Sequence, residues 1–262
     1  MPEVESYELG EPNWVEVSSP DVQVSKRFYG GLLGWSSYDV TDAFVGDFSI
    51  FTLGDATGPE TAGLTRMADD TITATWTCYF NVQNASAAAE RVRQAGGLVY
   101  MEATDVAHLG RVALAADPQG AEFGLWQPYA FAGCGVVGEL NTVSKVGLVT
   151  RDPIAAQRFY GHVLGWKEPA VYQGMVVESV YEWEIVGRLF PFMLLANEEL
   201  LGEGLRAYWL PYVVVADCDA SLAEAVVLGG SVNIPLTQSM FGPSAIIKDP
   251  TSARLGLLQQ RS

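Results

Sequence analysis

The side chains in this chain that could move a proton are Glu16, Glu122, Lys145 and His108, and two of them stand near tryptophans at strand spacing. Trp14 and Glu16 are two residues apart, as are Thr77 and Tyr79, and Glu122 and Trp126 are separated by four. On extended strands each set shares one face. A carboxyl buried between indoles stays neutral to a higher pH than in water and becomes a usable general acid or base. The plainer alternative for Glu16 and Glu122 is a solvated or ion-paired surface carboxylate. Lys145 falls on an otherwise apolar run, where an amine can donate a proton or hold a phenolate; it can equally pair with an acid at the strand end. His108, in Val106-Ala107-His108-Leu109-Gly110, is a loop imidazole that could shuttle protons or simply sit in water, whereas His162 interrupts the polar side of a helix. Trp14, Thr77, Tyr79, Trp126 and Tyr212 are the candidate substrate-binding residues. An aromatic floor with few polar groups suits a flat, largely apolar ligand, and it is also what fills a barrel.

These residues sit on a chain that states one pattern twice. Arg27-Phe28-Tyr29-Gly30-Gly31-Leu32-Leu33-Gly34-Trp35 returns as Arg158-Phe159-Tyr160-Gly161-His162-Val163-Leu164-Gly165-Trp166, shifted by 131 positions in a chain of 262. Asp117-Pro118 returns as Asp249-Pro250, shifted by 132. A repeat of this length implies two fused copies of one domain, here residues 1–131 and 142–262 with a linker at 132–141. Each copy opens on a β-like run, Asn13 to Ser18 or Val143 to Thr150. A helix follows, with apolar residues four apart, capped by Asp21 or Asp152 and ended by Gly34 or Gly165. Further strands are expected around Phe48 to Leu53 and Met175 to Val186, then Trp76 to Val82 and Tyr208 to Val215. Second helices are expected over Ala85 to Ala95 and Ala220 to Leu228, and each copy closes on strands around its Asp-Pro turn.

Composition narrows the function classes. Half the residues are hydrophobic (49%) and only 18% are charged, which describes a globular chain. The net charge of −16 repels phosphate backbones and anionic membranes, so neither nucleic acid nor membrane is expected as a partner. Three scattered cysteines without CxxC spacing argue against a disulfide framework or a zinc site. The acidic start lacks the pattern of a secretory signal, and a cytoplasmic location, as monomer or homodimer, is expected. No serine-hydrolase elbow, P-loop or strand-linked dinucleotide motif occurs; a nucleotide cofactor is not indicated by motif, though a family-specific route stays open.

The order of these motifs resembles the vicinal oxygen chelate superfamily, which includes glyoxalase I, extradiol dioxygenases and bleomycin-resistance proteins, and in particular its tandem two-domain actinobacterial members. The resemblance rests on the opening strand, the Asp, Arg-Phe-Tyr-x-x-x-Leu-Gly-Trp and the closing Asp-Pro, found in both copies. It implies an α+β fold of two tandem domains, each of paired βαβββ modules whose curved sheets form a cup. It also implies where a divalent metal would be held: on the first strand at Trp14 or Lys145, on the fifth at Thr77 or Leu210, and on the last at Gly124 or Gly256. None of these residue types is the His or Glu such a centre uses, so no metal is expected. The cups are expected to present Trp14, Glu16, Thr77, Tyr79, Glu122 and Trp126 in copy one, and Lys145, Leu210, Tyr212, Arg254 and Leu258 in copy two. Trp76 and Trp209 fall on the opposite face.

The leading expectation is a metal-independent tailoring enzyme of secondary metabolism that uses general acid–base catalysis for dehydration, cyclisation or a related carbonyl step. Its substrate would be a small hydrophobic, aromatic or polyketide-like molecule. A second reading, a protein that sequesters an antibiotic without changing it, needs the aromatics and no proton carrier. A noncatalytic structural or interaction protein is the third.

Overall fold

In the computed structural model, residues 4–42, 46–67, 73–167, 170–173, 179–183, 187, 190–196 and 206–259 are described. The first half runs β1 (Pro12–Ser19), α1 (Val22–Leu33), β2 (Trp35–Asp42), β3 (Gly46–Leu53), β4 (Glu60–Arg66), β5 (Thr75–Asn81), α2 (Ala85–Gln94), β6 (Leu98–Val106), β7 (Gly110–Ala116) and β8 (Glu122–Pro128). The second half repeats the order as β9 (Val143–Thr150), α3 (Pro153–Leu164), β10 (Ala170–Gln173), β11 (Ser179–Glu182), β12 (Phe190–Leu195), β13 (Tyr208–Val215), α4 (Cys218–Val227), β14 (Ser231–Ser239), β15 (Gly242–Lys248) and β16 (Arg254–Gln259). The strand expected over Met175 to Val186 is seen as β11, with 174–178 and 184–186 outside the described residues.

Each half forms its own eight-stranded sheet, in the orders β2-β3-β4-β1-β5-β8-β7-β6 and β10-β11-β12-β9-β13-β16-β15-β14. Two βαβββ modules meet where β1 pairs antiparallel with β5, and β9 with β13. Inside a module the first strand runs parallel to the last, as β1 does to β4 and β5 to β8. Each cup therefore closes within one half, a point the sequence left open.

The helix signals act as expected. Asp21 and Asp152 accept hydrogen bonds from the backbone N–H groups of Val24 and Ala155, and Gly34 and Gly165 end their helices in the left-handed region at φ 66° and 77°. The repeated Arg-Phe-Tyr and Leu-Gly-Trp segments do something a helix signal alone does not reveal: they clasp the opposite half. Tyr29 donates to Asp249 Oδ2 at 2.9 Å, and Tyr160 donates to Asp117 Oδ2 at 3.3 Å. Trp35 donates to the carbonyl of Asn141, and Trp166 to that of Gly10, two residues that stand 131 apart and both have left-handed backbones. Phe28 packs where a Cβ on Gly230 would stand, and Phe159 does the same at Gly97. The two halves share one hydrophobic core, rich in rings such as Phe80, Phe123, Tyr160, Trp76 and Trp209. Burial raises the Asp117 carboxyl above its usual range, opposed by backbone N–H donation from Ala121 and Gln119 and by Tyr160.

The segment 132–141 bridges the halves, its start packed along the first and the N–H groups of Gly138 and Asn141 donating to the carbonyls of Val143 and Val214 in the second. Cys134 is buried and its N–H donates to the carbonyl of Asn13, while Gly135 donates to Glu60. No helix among the described residues is long and apolar enough to cross a membrane.

Candidate functional site

The concave face of the first sheet carries a second cluster, separate from the shared core: Trp14, Ile50, Tyr79, Val106, Val112, Trp126 and Cys134. It surrounds cup 1, a cavity of 190 Å³ whose lining includes Trp14, Glu16, Thr65, Tyr79, Trp126 and Phe131. Alternation on β1 sends Trp14 and Glu16 into the cup while Val15 and Val17 enter the shared core. Trp126 is held by its indole N–H on the carbonyl of Phe131 at 2.9 Å, and the Phe131 ring meets Trp14 edge-on at 4.9 Å between centroids.

Among the described residues Glu16 is the one carboxylic acid in this lining. Its Oε1 accepts from Tyr79 at 3.2 Å and from Thr65 at 3.3 Å. Burial among apolar walls pushes its pKa up to about 7, with the two hydroxyl donors pulling the other way. Tyr79 itself is held well above its ordinary value, by burial first and then by the neighbouring Glu16 charge, so it stays a donor. Room for the carboxyl comes from β4: Gly63 lies opposite Glu16 in the ladder, and a Cβ there would stand 3.0 Å from Glu16 Cγ and Oε2 and 3.1 Å from Trp14 Nε1.

The other sequence candidates separate. Thr77 pairs with Glu16 across the β1–β5 ladder, yet it is buried and outside the cavity lining. Glu122 is exposed and does not reach cup 1: it stands at the start of β8, on a groove between the halves. Glu122 shares the parity of Trp126, but it is the first residue of β8, where the cup lining has already ended. His108 is exposed in the β6–β7 turn, while its neighbours Val106 and Leu109 face the cavity. Lys145 and Tyr212 line a cavity of 90 Å³ in the second half, cup 2, with the Lys145 amine 4.2 Å from the centre of the Phe241 ring. Leu258 joins them, Leu210 is buried in the adjoining cluster, and Arg254 lies on the groove instead. Trp76 and Trp209 are in the shared core, as their parity required. Thr65 and Gly63 escaped the sequence reading; their strand, Glu60–Arg66, carries an internal glycine and two threonines and gives a weak strand signal.

The metal-holding positions of this fold are filled by other chemistry. Tyr79 lies opposite Gly124 in the ladder, and a Cβ on Gly124 would fall 2.0 Å from the Tyr79 ring; Gly256 stands in the same relation to Tyr212 at 2.3 Å. A glutamate at either position would have to displace the ring. Trp14 adds an indole that has no lone pair to offer in the plane. Among the described residues no three His, Cys, Asp or Glu side chains converge, so the donor set does not fit a divalent metal.

Paired βαβββ halves around inward-facing cups define the glyoxalase/bleomycin resistance protein/dioxygenase superfamily, whose family model matches residues 11–125, and the chain belongs to it. Among curated relatives, the anthracycline biosynthesis protein DauV of Streptomyces sp. strain C5 is 34% identical over 96% of this chain and 94% of its own. DnrV of Streptomyces peucetius, which carries the same description, matches at 34% over the same shares. The fold is also that of the 2,3-dioxygenase LapB from Pseudomonas sp. KL28, with a TM-score of 0.62, 12% identity and coverage of 97% and 94% of the two chains. The Mn(II)-bound glyoxalase from Novosphingobium aromaticivorans also superposes at 0.62, with 14% identity and coverage of 97% and 83%.

Proposed function

We propose that the chain is a natural-product tailoring enzyme that works in cup 1 by general acid–base catalysis without a metal. The observation that carries this reading is Glu16: a carboxyl with a pKa near 7, inside an aromatic cup, whose Oε1 is occupied by two hydroxyl donors. At neutral pH such a group is present in both protonation states, the condition under which a single residue can take and return a proton. With Tyr79 and Thr65 engaged on Oε1, exchange with a ligand falls to Oε2. The relatives named for anthracycline biosynthesis support a polycyclic aromatic or polyketide-like substrate.

A cavity of 190 Å³ is smaller than the ~300–1,000 Å³ that encloses a whole drug-sized ligand. One end of a polycycle, bearing a ketone and a neighbouring hydroxyl, suits it. The Glu16 carboxylate removes a proton from the carbon that lies between the ketone and the hydroxyl-bearing carbon, and electrons shift toward the carbonyl oxygen. As they return, the carbon–oxygen bond to the hydroxyl breaks while the carboxylic acid so formed delivers that proton to it. Water leaves, a carbon–carbon double bond is formed, and the enzyme returns to its starting state. Trp14 and Trp126 hold the ring plane and exclude water.

The test is turnover of a hydroxylated polyketide ketone by the parent and by Glu16→Gln, both with chelator present. The expected result is loss of water by the parent and a fall of at least about 10²-fold in the variant at unchanged ligand affinity, since an amide keeps shape but cannot cycle a proton. A parent that binds such ketones tightly and returns them unchanged supports sequestration instead. A parent that works only after metal is added overturns the metal-free reading.

A further inference from the structure

The groove at the seam between the halves runs against the charge of the whole molecule. The chain carries 31 acidic and 15 basic residues, yet Arg206, Lys248 and Arg254 converge on one groove of 610 Å³, with Glu122 the one acid among its described lining residues. Where acids outnumber bases two to one, a basic side chain readily finds a carboxylate. Among the described residues these three have none within ion-pair distance, and Glu122 pairs with none of them.

The cations are also held in place. Arg254 donates from Nε to Asn233 Oδ1 at 3.0 Å and lies 5.0 Å from the centre of the Tyr208 ring. The stem of Arg206 crosses Gly120, whose φ of 89° and lack of a side chain permit the contact: a Cβ there would stand 2.7 Å from Arg206 Cδ. The adjoining Ala207 N–H bonds to the carbonyl of Gln119 at 3.3 Å. The repeat supplies an internal control. The first-half positions matching Arg206, Lys248 and Arg254 are Thr73, Ala116 and Glu122, so the cationic side was built into one copy only.

We propose that this seam groove is a ligand site distinct from cup 1 and that it takes an oxyanion, the phosphate or carboxylate group of a small organic molecule. Two planar guanidinium forks and one ammonium point charge are the donors such a group needs. Within an acidic molecule, a groove walled by cations also concentrates small anions locally.

Calorimetric titration at fixed ionic strength tests this, with inorganic phosphate and benzoate as probes and chloride as the control. Saturable binding of at least one probe is expected; phosphate alone identifies a phosphate site and benzoate alone a carboxylate site. Arg206→Gln or Lys248→Gln should weaken Kd about ten-fold or more, the scale of one charge-assisted hydrogen bond. Glu122→Gln, which removes the like charge, should tighten it. Among the described residues neither side chain at 206 or 248 makes a hydrogen bond, and circular dichroism checks that the variants are folded. Absence of saturable binding to either probe, or an unchanged Kd in both cation variants, overturns the proposal. The titration needs no cup 1 ligand, so its failure is separate from any failure of the acid–base reading.

Discussion

Cup 1 and cup 2 are the same scaffold filled in opposite senses. In cup 1 the β1–β4 ladder sets Glu16 opposite Gly63; in cup 2 the matching β9–β12 pair sets Gly147 opposite Phe192. The large group has crossed from one strand to the other, and a Cβ on Gly147 would stand 2.8 Å from the Phe192 ring, in the space cup 1 gives to its carboxyl. Trp14 likewise becomes Lys145, and the cavity shrinks from 190 to 90 Å³. The seam-facing residues tell the reverse story: Phe28, Tyr29, Trp35 and Asp117 keep their types in Phe159, Tyr160, Trp166 and Asp249. Duplication held the clasp constant and left the cups free to differ, and among the described residues cup 1 alone has a buried acid in its lining.

The largest effect should come from turning cup 1 into cup 2. Glu16→Gly with Gly63→Phe reproduces the Gly147–Phe192 pair, and turnover is expected to fall by at least about 10²-fold because the proton carrier is gone and a ring fills its place. Circular dichroism should show an intact fold, since cup 2 tolerates that pair; parental turnover would remove Glu16 from the mechanism. Next comes Trp14→Ala, which strips one wall of the cup. A planar aromatic ligand that quenches tryptophan fluorescence in the parent should bind about ten-fold more weakly, whereas equal affinity would assign the indole to packing alone.

Tyr79→Phe should have a smaller effect on rate and a clearer one on pH. Its hydroxyl lowers the Glu16 pKa, so its loss should move the acidic limb of activity, where the Glu16 base becomes protonated, to higher pH while the phenyl ring still covers Gly124. An unmoved pH profile would show that the Tyr79–Glu16 bond does not set the titration. The smallest effect is on stability. Glu16 binds its proton more tightly folded, near 7, than at its ordinary 4.5, so folding stability should decline as pH rises between those values and level off above. Glu16→Gln should flatten that slope in the melting temperature, measured at several pH values; an identical slope would place its cause elsewhere.

Much of the scaffold was legible because its signals are local. Asp21 caps a helix, Gly34 ends one, and the duplicated Arg-Phe-Tyr announces two copies, all from short-range chemistry. Strand parity sorted Trp14, Glu16, Tyr79 and Trp126 into the cup and Trp76 and Trp209 into the core. Three things were hidden because they depend on partners distant in sequence. The clasp joins Tyr29 to a residue 220 positions away. Gly63 and Thr65 matter only through Glu16, on a strand 47 to 49 positions earlier, and their own segment reads as weakly extended. Glu122 shares parity with Trp126, but the curled sheet carries the start of β8 past the cup and onto the seam, which alternation alone does not register.

The central claim, that cup 1 holds a carboxyl poised near neutrality, can be measured without knowing the substrate. Glutamate carboxyl carbons are labelled selectively, followed by NMR through a pH titration, and assigned by the signal missing from Glu16→Gln. The account predicts that this one signal titrates near pH 7. A Glu16 signal that titrates at the ordinary value of 4.5 would contradict it.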